Sequence, residues 1–363
     1  MTKTHWARTR VSELFDTPYP IVQGPFGGGV STVALAAAVS DAGGLGSFGG
    51  HHLPPERLDA TLRELAAATG RPFAVNLWVP TEDQPRGIDP ETFRAGTARL
   101  QPWYDALGLP LPEYQPQALP DFDSQVEVVL ERRPRVFSFV FGIPDPKVLA
   151  ECRRRGIVTV GAATNLDEGR ALEAAGVDVV VASGIEAGGH RPSFLRPAPD
   201  SVSTGPLTAQ LTSVLSVPVI AAGGLADGRG IAAAFALGAE GAQLGTAFLA
   251  TEQSAAPAVH REMLFSDRAR HTTLTRAFSG RHGRGIRNEF LDALADASDI
   301  PPYPQQLWLT APLRAAGAER GDPEVLFLYA GQGAPLLRRE HTDAGQLLRF
   351  LVADTDRVLT NLA

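Results

Sequence analysis

The sequence predicts an α/β fold, a TIM-like (β/α)8 barrel with a smaller, mainly helical second domain. Three observations support this prediction. Short apolar runs alternate with alanine-rich helical stretches over most of the chain, which implies right-handed crossovers and a parallel sheet. Eight such runs occur before residue 250, and eight strands favour a closed barrel over an open sheet. The alternation then stops, and a mixed segment with Arg-Gly and Pro clusters follows.

The predicted strands are short and mostly apolar. Val177–Gly184 shows the pattern best, because its β-branched residues and near absence of polar side chains are typical of a strand covered on both faces. The eight predicted strands are Ile21–Gly24, Leu45–Gly49, Phe73–Val79, Val136–Gly142, Ile157–Ala163, Val177–Gly184, Val217–Gly224 and Gly241–Leu249. The six predicted helices between them are Thr32–Ala42, Pro55–Thr69, Asp145–Arg155, Asn165–Ala175, Pro206–Val214 and Asp227–Leu237.

Capping residues support this register. Asn165 can cap a helix that carries Glu168 at its third position, and Asp227 can cap the helix after strand seven. Gly176 and Gly238 stand where left-handed helix ends are expected.

The chain divides into three predicted parts. Residues 1–250 form the barrel, with an insertion at 80–135 that is rich in proline, glutamine and acidic residues and holds helices near Pro90–Leu107 and Phe122–Arg132. Residues 251–335 form a smaller helical lid or substrate domain over the mouth of the barrel. Residues 336–363 have helical spacing, and we expect this helix to return to the barrel.

Composition excludes several classes of protein. The chain of 363 residues has a formal net charge of −7 and no basic run, which argues against nucleic-acid binding. Cys152 is the single cysteine, as in a reducing compartment. The polar start and the lack of a long apolar run predict neither a signal peptide nor a membrane span, so we expect a cytoplasmic protein. Lys147 would have to serve any Schiff-base cofactor, and its place in the first turn of a helix disfavours that role.

A glycine-rich turn with one histidine follows the sixth predicted strand. Gly184, Gly188 and Gly189 permit positive φ angles and a close approach of the backbone to a ligand. His190 follows them, and the ordinary pKa of a histidine, about 6.5, suits a general base near neutral pH. A hydrogen-bonded structural histidine is the alternative, but stiffer neighbours would hold such a residue better. We therefore predict that His190 is catalytic.

Glycines also follow the last two predicted strands. Gly223 and Gly224 follow strand seven, and Gly245 with the hydroxyl of Thr246 follows strand eight. Loops at these two places in such barrels commonly bind phosphate through backbone amides. Tight packing alone would explain glycines at either one of these positions. Glycines at both positions favour a phosphate site. A nominal GxGxxG within Gly44–Gly49 does not predict a dinucleotide site, because a helix precedes it and a strand runs through it.

Further candidates lie elsewhere in the chain. Asn76, within an apolar run, needs partners for its amide, which a ligand ring or a neighbouring loop would supply. Tyr329 and Gln332 lie beside glycines within reach of a pocket. Residues Thr272–Gly285 concentrate arginines, and we interpret them as a solvated connection, with gating of an anionic substrate as the alternative.

The histidines do not predict a metal site. Neither HExxH nor CxxC spacing occurs in the sequence. The glycines between Glu186 and His190 oppose a helix, and His51 and His52 would point to opposite faces of an extended chain. We therefore expect no bound metal.

Together these stretches resemble the nitronate monooxygenase family, formerly called 2-nitropropane dioxygenases, and above all its class I branch. The resemblance covers nearly the whole chain. The stretches that carry it are PIVQGPFGGG, AGGLGSFGG, SGIEAGGHR, PVIAAGGLADGRG, GAQLGTAFLA, SGRHGRGIRNEF and LYAGQG. The third and fifth are specific to the FMN-dependent superfamily, and the last two point to class I.

The resemblance implies that FMN lies at the carboxyl ends of the barrel strands and that His190 is the active-site base. We expect Phe26, Tyr329 and Gln332 to line the substrate pocket. The residues that the resemblance implies for cofactor binding are Gln23, Gly24, Asn76, Ser183, Gly188, Gly189, Gly223, Gly224, Gln243, Leu244, Gly245 and Thr246. Some family members have glutamine at the position of Ser183, so a shorter hydroxyl stands here in place of an amide.

The implied reaction is oxidation of an alkyl nitronate by O2 to a carbonyl compound and nitrite, without NAD(P)H. Neutral nitroalkanes would require prior loss of the α-proton to His190, and propionate 3-nitronate is the substrate that the family suggests. An FMN-dependent NAD(P)H oxidoreductase, such as an enoyl-acyl-carrier-protein reductase or a quinone reductase, is the alternative. A flavin-binding protein without turnover is disfavoured by His190 among its glycines. We expect a monomer or homodimer whose partners are the small molecule and O2.

Overall fold

Parallel strands form the centre of the chain in the computed structural model, which describes residues 5–81 and 84–362. Eleven strands occur in these residues, and eight of them form one sheet. The strands are β1 (Ile21–Gln23), β2 (Gly46–Gly49), β3 (Phe73–Trp78), β4 (Val136–Val140), β5 (Val158–Ala163), β6 (Val179–Ser183), β7 (Gly189–His190), β8 (Val219–Ala222), β9 (Gly241–Leu244), β10 (Thr272–Thr275) and β11 (Gly283–Ile286).

The eight-stranded sheet closes on itself. Its strands lie in the order β1–β9–β8–β6–β5–β4–β3–β2, and each neighbouring pair is parallel. The two end strands meet through a parallel bridge between Val22 and Leu45, where the Leu45 amide donates to the carbonyl of Ile21 at 2.9 Å. The predicted TIM-like barrel is therefore confirmed.

Helices surround the barrel and complete the regions on either side. They are α1 (Arg10–Phe15), α2 (Val33–Asp41), α3 (Pro55–Ala68), α4 (Pro90–Ala106), α5 (Phe122–Arg132), α6 (Pro146–Arg154), α7 (Leu166–Ala174), α8 (Thr204–Val214), α9 (Gly228–Ala236), α10 (Thr246–Leu249), α11 (Ala258–Leu264), α12 (Glu289–Ala293), α13 (Gln305–Leu309), α14 (Ala311–Arg320) and α15 (Ala344–Leu362). Short 3₁₀ turns occur at His5–Ala7, Ala198–Asp200, Asp267–Arg270, Pro323–Val325 and Ala334–Leu336.

The predicted helix ends are confirmed. The side chain of Asn165 accepts a hydrogen bond from the Glu168 amide, and Asp227 accepts bonds from two amides of α9. Gly176 and Gly238 have φ angles of 84° and 91° after α7 and α9. These caps satisfy helix-end groups that would otherwise lack partners, and so fix where each barrel helix begins and ends.

The two faces of each strand pack into different cores. In β6, Val179 and Val181 belong to the cluster inside the barrel, whereas Val180 and Ala182 pack against the helices outside it. This alternation follows from the two-residue period of a strand. Helix α1 adds Phe15 to the interior cluster, with 1% of the residue exposed. Side chains thus fill the interior of the barrel, so a ligand can bind only at the ends of the strands.

The last barrel strand is shorter than predicted. Residues Gly241–Leu249 were expected to form one strand, but β9 ends at Leu244 and α10 begins at Thr246. The Leu249 amide donates to the carbonyl of Gly245 at 2.9 Å, which makes this a helical turn. The apolar residues that suggested a longer strand are buried in the helix instead, since a short apolar run does not distinguish the two structures.

A second, three-stranded antiparallel sheet covers the mouth of the barrel. Its order is β10–β11–β7, and the register pairs Gly283 with His190 and Arg284 with Gly189. All four residues of β11 are buried. The interpretation of this stretch as a solvated connection is therefore wrong for β11, because its pairing with the histidine loop removes it from solvent.

The regions outside the barrel pack on one another and on the barrel. In the insertion, α4 buries Leu100 and Tyr104 in a cluster with Phe290 and Leu309 from the segment after the barrel. Helix α15 lies on α2 and α9 and buries Leu348 in their shared cluster. Of the helices that the structure describes, none combines the length and the apolar character that a membrane span requires.

Candidate active site

A pocket opens at the carboxyl ends of the barrel strands, where ligands bind in this fold. It brings together most of the residues that the sequence suggested. Those that line it are Gly24, Phe26, Asn76, Ser183, Gly188, Gly189, His190, Gly223, Gly224, Gln243, Gly245, Thr246 and Tyr329. They come from five barrel strands or the loops after them and from the segment that follows the barrel.

Three residues expected at the site do not line the pocket. Gln23 is fully buried between β1 and β2, where its Oε1 accepts the Ser47 amide at 2.8 Å and its Nε2 donates to the Gly24 carbonyl. Leu244 faces the helices, since alternate residues of a strand point to opposite sides. Gln332 is exposed, and only its backbone contributes, through a 2.9 Å bond to the Glu186 carbonyl.

The pocket walls are built from glycine backbone. Gly223 has a φ of 117°, and a Cβ on it would lie 2.7 Å from Thr204 Oγ1. A Cβ on Gly188 would lie 2.5 Å from the Gly331 amide nitrogen. The loops after β6 and β8 and the Tyr329–Gly333 stretch therefore pack against each other without intervening side chains.

Two polar side chains hold these loops in place. Glu186 Oε2 accepts hydrogen bonds from both the amide and the hydroxyl of Thr204, each at 2.8 Å. Thr246 Oγ1 accepts the Gly331 amide at 2.9 Å, which leaves its own hydrogen available to a ligand. Because the Glu186 carboxylate is engaged in these bonds, it is a structural group rather than a second base.

Backbone donors remain available at the ends of β8 and β9. Within residues 5–81 and 84–362, the amides of Gly224, Gly245 and Thr246 donate to no protein acceptor. All three residues line the pocket. The three residues are half-buried, so their amides need acceptors from water or a ligand, and clustered amides suit an anion such as a phosphate group. The residues present therefore fit a phosphate-bearing cofactor.

The sequence left open whether the amide of Asn76 would face a ligand or bind a neighbouring part of the protein, and the structure allows both. Asn76 lines the pocket, and its Nδ2 donates to Ser138 Oγ of β4 at 3.0 Å. The neighbouring strand thus fixes the orientation of the amide, and the remaining polar atom is available to a ligand.

His190 is oriented by a buried serine. Its Nε2 lies 2.8 Å from Ser279 Oγ, and the Ser279 hydroxyl in turn donates to the Arg281 carbonyl at 3.0 Å. Since that hydroxyl hydrogen is engaged, Nε2 carries the hydrogen shared with Ser279. The lone pair that can accept a proton is therefore on Nδ1.

The surroundings of His190 keep it neutral. Burial first, and then the positive charges of Arg281 and Arg314, lower its pKa to about 3. Aromatic rings enclose it, with centroids 5.2 Å away at Trp78 and 5.6 Å away at Tyr329. The imidazole is thus a neutral, weak base in a mainly apolar setting.

This pKa has a direct consequence for the pH profile. A group with a pKa near 3 is unprotonated at every higher pH, so we expect kcat/KM to show no acid limb from His190 between about pH 5 and 8. Steady-state kinetics across that range, on a substrate that stays in one ionisation state, would check it. A limb near the ordinary histidine pKa that disappears in His190→Asn would contradict the low value.

Several residues near His190 were not found from the sequence. Trp78 is the last residue of β3 and Phe141 follows β4, so the strand-end rule that selected Asn76 could have selected them too. Ser279 and Tyr303 come from the segment after the barrel. Ser279 opens the SGRHGRGIRNEF stretch, but nothing local in the sequence marks either residue as a neighbour of His190.

His51 and His52 lie in a turn after β2 rather than on an extended chain, with ring centroids 5.4 Å apart. His51 stacks on Trp78 at 3.6 Å between ring centroids. Among the residues that the structure describes, no group of three or more possible ligands could hold a metal.

Fold and site together define a barrel with a pocket whose unpaired backbone amides fit an anionic group and whose wall carries a neutral imidazole. Comparison with known proteins identifies the family to which the chain belongs. The sequence profile of the nitronate monooxygenase family matches residues 8–354, so the chain belongs to that family. It is therefore an oxidoreductase, and its family implies a flavin cofactor.

Individual relatives agree with this assignment. A probable nitronate monooxygenase of Staphylococcus aureus (strain Newman) is 37% identical over 93% of this chain and 94% of its own length. Nitroalkane oxidase from Streptomyces ansochromogenes superposes with a TM-score of 0.88 at 38% identity, over 97% of this chain and all of the other. FabK from Thermotoga maritima has a TM-score of 0.76 at 30% identity over 98% of both chains.

Proposed function

We propose that the protein is an FMN-dependent nitronate monooxygenase of class I, which oxidises alkyl nitronates with O2 to carbonyl compounds and nitrite. The observation that carries the proposal is the neutral His190, held by Ser279 at the wall of a glycine-lined pocket. A neutral imidazole can accept a proton from a carbon acid or donate a hydrogen bond, but it needs no metal to do either.

The unpaired amides support FMN as the flavin. Gly223, Gly224, Gly245 and Thr246 would hold its phosphate through backbone and hydroxyl donors, at the two loops where barrels bind phosphate. Ser183, Asn76, Gln243 and Gly188 would lie beside the ring system. When bound, FMN supplies the one-electron oxidation and the reaction with O2.

The charges around His190 favour a nitronate over a neutral nitroalkane. Arg281 and Arg314 contribute positive potential at the imidazole, and Arg314 donates to two uncharged acceptors, Thr310 Oγ1 and the Leu307 carbonyl. That potential stabilises an anionic substrate in a pocket of low polarity. The low pKa of His190 makes it a weak base, so removal of the α-proton from a neutral nitroalkane is the slower route.

The test combines the visible spectrum with oxygen uptake. We expect the purified protein to be yellow, to release FMN on denaturation, and to consume O2 and form nitrite with ethylnitronate or propionate 3-nitronate in the absence of NADH. A protein that cannot be loaded with FMN would contradict the cofactor assignment. A loaded protein that oxidises neither substrate would contradict the reaction.

A reductase that uses NAD(P)H is the second candidate, and the structural similarity to FabK favours it. Mixing the yellow protein with NADH or NADPH in the absence of oxygen distinguishes the two. A monooxygenase keeps its oxidised spectrum over the time of its turnover with nitronate, whereas a reductase is bleached rapidly.

A further inference from the structure

His260 is a buried histidine on α11, outside the active-site pocket. Only 4% of the residue is exposed, and its Nε2 lies 2.9 Å from the carbonyl oxygen of Tyr329. A carbonyl can only accept a hydrogen bond, so Nε2 carries the hydrogen and donates it. Burial lowers the pKa of His260 to about 4, so the imidazole is neutral near pH 7 and Nδ1 holds the lone pair.

Helix α11 holds this donor in a fixed place. Its Leu264 is fully buried in a cluster that also contains Leu328 and Ala330, the two chain neighbours of Tyr329. The helix and the Tyr329 stretch therefore share one apolar core, and the His260 bond joins them within it. A carbonyl that loses its partner in such surroundings is costly, which gives this one bond its weight.

The backbone of Tyr329 is fixed on both sides. Its amide donates to the Phe327 carbonyl at 2.9 Å, and its carbonyl accepts from His260 at the same distance. Tyr329 also forms an antiparallel bridge with Gly285 of β11. Because these contacts set the direction of the Cα–Cβ bond, they limit where the ring can lie.

The Tyr329 ring reaches the active site. It lines the pocket, and its centroid lies 5.6 Å from that of His190. Burial raises the pKa of its hydroxyl above the usual range, against the opposing charge of Arg314, so the phenol is neutral. A neutral phenol can donate a hydrogen bond to an anionic substrate. A displaced ring would therefore change both the shape of the wall at His190 and the donor that it offers.

We infer that His260 is a positioning residue, which holds the Tyr329 ring beside His190 for the head of the substrate through its bond to the Tyr329 carbonyl. His260 itself lies outside the pocket, so its effect on a ligand should pass through Tyr329 and disappear without that ring. The inference rests on the proposed function for the chemistry of the substrate head, and on the hydrogen bond for the role of His260.

Nitrogen NMR tests the hydrogen bond without turnover. The protein would be loaded with FMN and labelled with ¹⁵N in its histidine rings, and the His260 signals would be assigned by their loss in His260→Gln. We expect a neutral ring at pH 7 with its hydrogen on Nε2. A hydrogen on Nδ1 would leave no donor for the Tyr329 carbonyl and would overturn the inference.

Two substitutions separate the bond from the bulk of the ring. Glutamine can still donate to the carbonyl, whereas leucine fills space without a donor. Propanoate shares the planar, delocalised anionic head of a nitronate, and calorimetry would give its Kd. We expect His260→Leu to raise this Kd by roughly tenfold and His260→Gln by less than about threefold, with kcat/KM for ethylnitronate falling in the same order. Val259→Ala, which removes packing from the same helix, should change neither quantity.

A double substitution shows whether the effect passes through the tyrosine ring. In a Tyr329→Ala background, His260→Leu should have no further effect on the Kd of propanoate. Should His260→Leu not fold, His260→Asn takes its place, because its shorter amide falls short of the carbonyl.

The outcomes separate the two proposals. Equal losses in His260→Leu and His260→Gln would mean that packing matters and the bond does not. Additive losses with Tyr329→Ala would mean that the effect bypasses Tyr329. Either result overturns the positioning role. If binding changes as expected but no nitronate is oxidised, the positioning role stands and the proposed reaction fails.

Discussion

His190→Asn is expected to lower kcat/KM for neutral nitroethane by roughly 10²-fold or more, and kcat/KM for ethylnitronate by less than about tenfold. The two substrates differ by one proton. Nitroethane must lose its α-proton in the active site, and the lone pair on Nδ1 of His190 is the acceptor that the bond to Ser279 leaves available. Ethylnitronate has already lost that proton, so only orientation and polarity change for it.

The measurement is steady-state oxygen uptake with both substrates at one pH, after confirming equal FMN content. His271→Asn is the control, because His271 is exposed and lies outside the pocket. An equal loss on both substrates would mean that His190 positions the ligand and does not act as a base. Unchanged oxidation of nitroethane would remove the base role altogether.

Gly223→Ala is expected to yield a folded but colourless protein. The φ of 117° at this residue is unfavourable for alanine, and the new Cβ would lie 2.7 Å from Thr204 Oγ1 and 3.0 Å from the Ala187 amide nitrogen. Relief of this crowding must move Thr204, whose bonds to Glu186 hold the loop after β6. The phosphate donors on two loops would then be misplaced together, and binding of the flavin would be lost.

Gly156→Ala is the matched control for this substitution. Gly156 has a φ of 71°, but a Cβ there would meet nothing within 4 Å. The control therefore carries the backbone strain, roughly 1–2 kcal/mol, without the crowding. Absorbance after gel filtration would report the FMN content of each variant, and thermal unfolding would report stability. If Gly223→Ala retained FMN as fully as Gly156→Ala, the tight packing of the glycine loops would not be what binds the cofactor.

The barrel and one side of its site could be predicted from local patterns. The two-residue alternation in runs such as Val179–Ser183, the helix caps at Asn165 and Asp227, and the left-handed glycines are all set by neighbours in the chain. Once parallel strands were expected, the geometry of the fold placed Gly223, Gly245 and His190 at a common rim. Motif matching added Gln23, Leu244 and Gln332, and these lie outside the pocket because a motif does not show which way a side chain points.

The sequence by itself determined the barrel, the glycines at its rim and the place of His190 among them. Each of these depends on contacts within one strand, helix or turn. The tertiary structure alone decided the state of that histidine. Its hydrogen-bond partner Ser279, the Arg281 and Arg314 charges that lower its pKa, and the Tyr303 and Trp78 rings beside it come from distant parts of the chain. Burial and long-range electrostatics act through space, and no local period in the sequence records them.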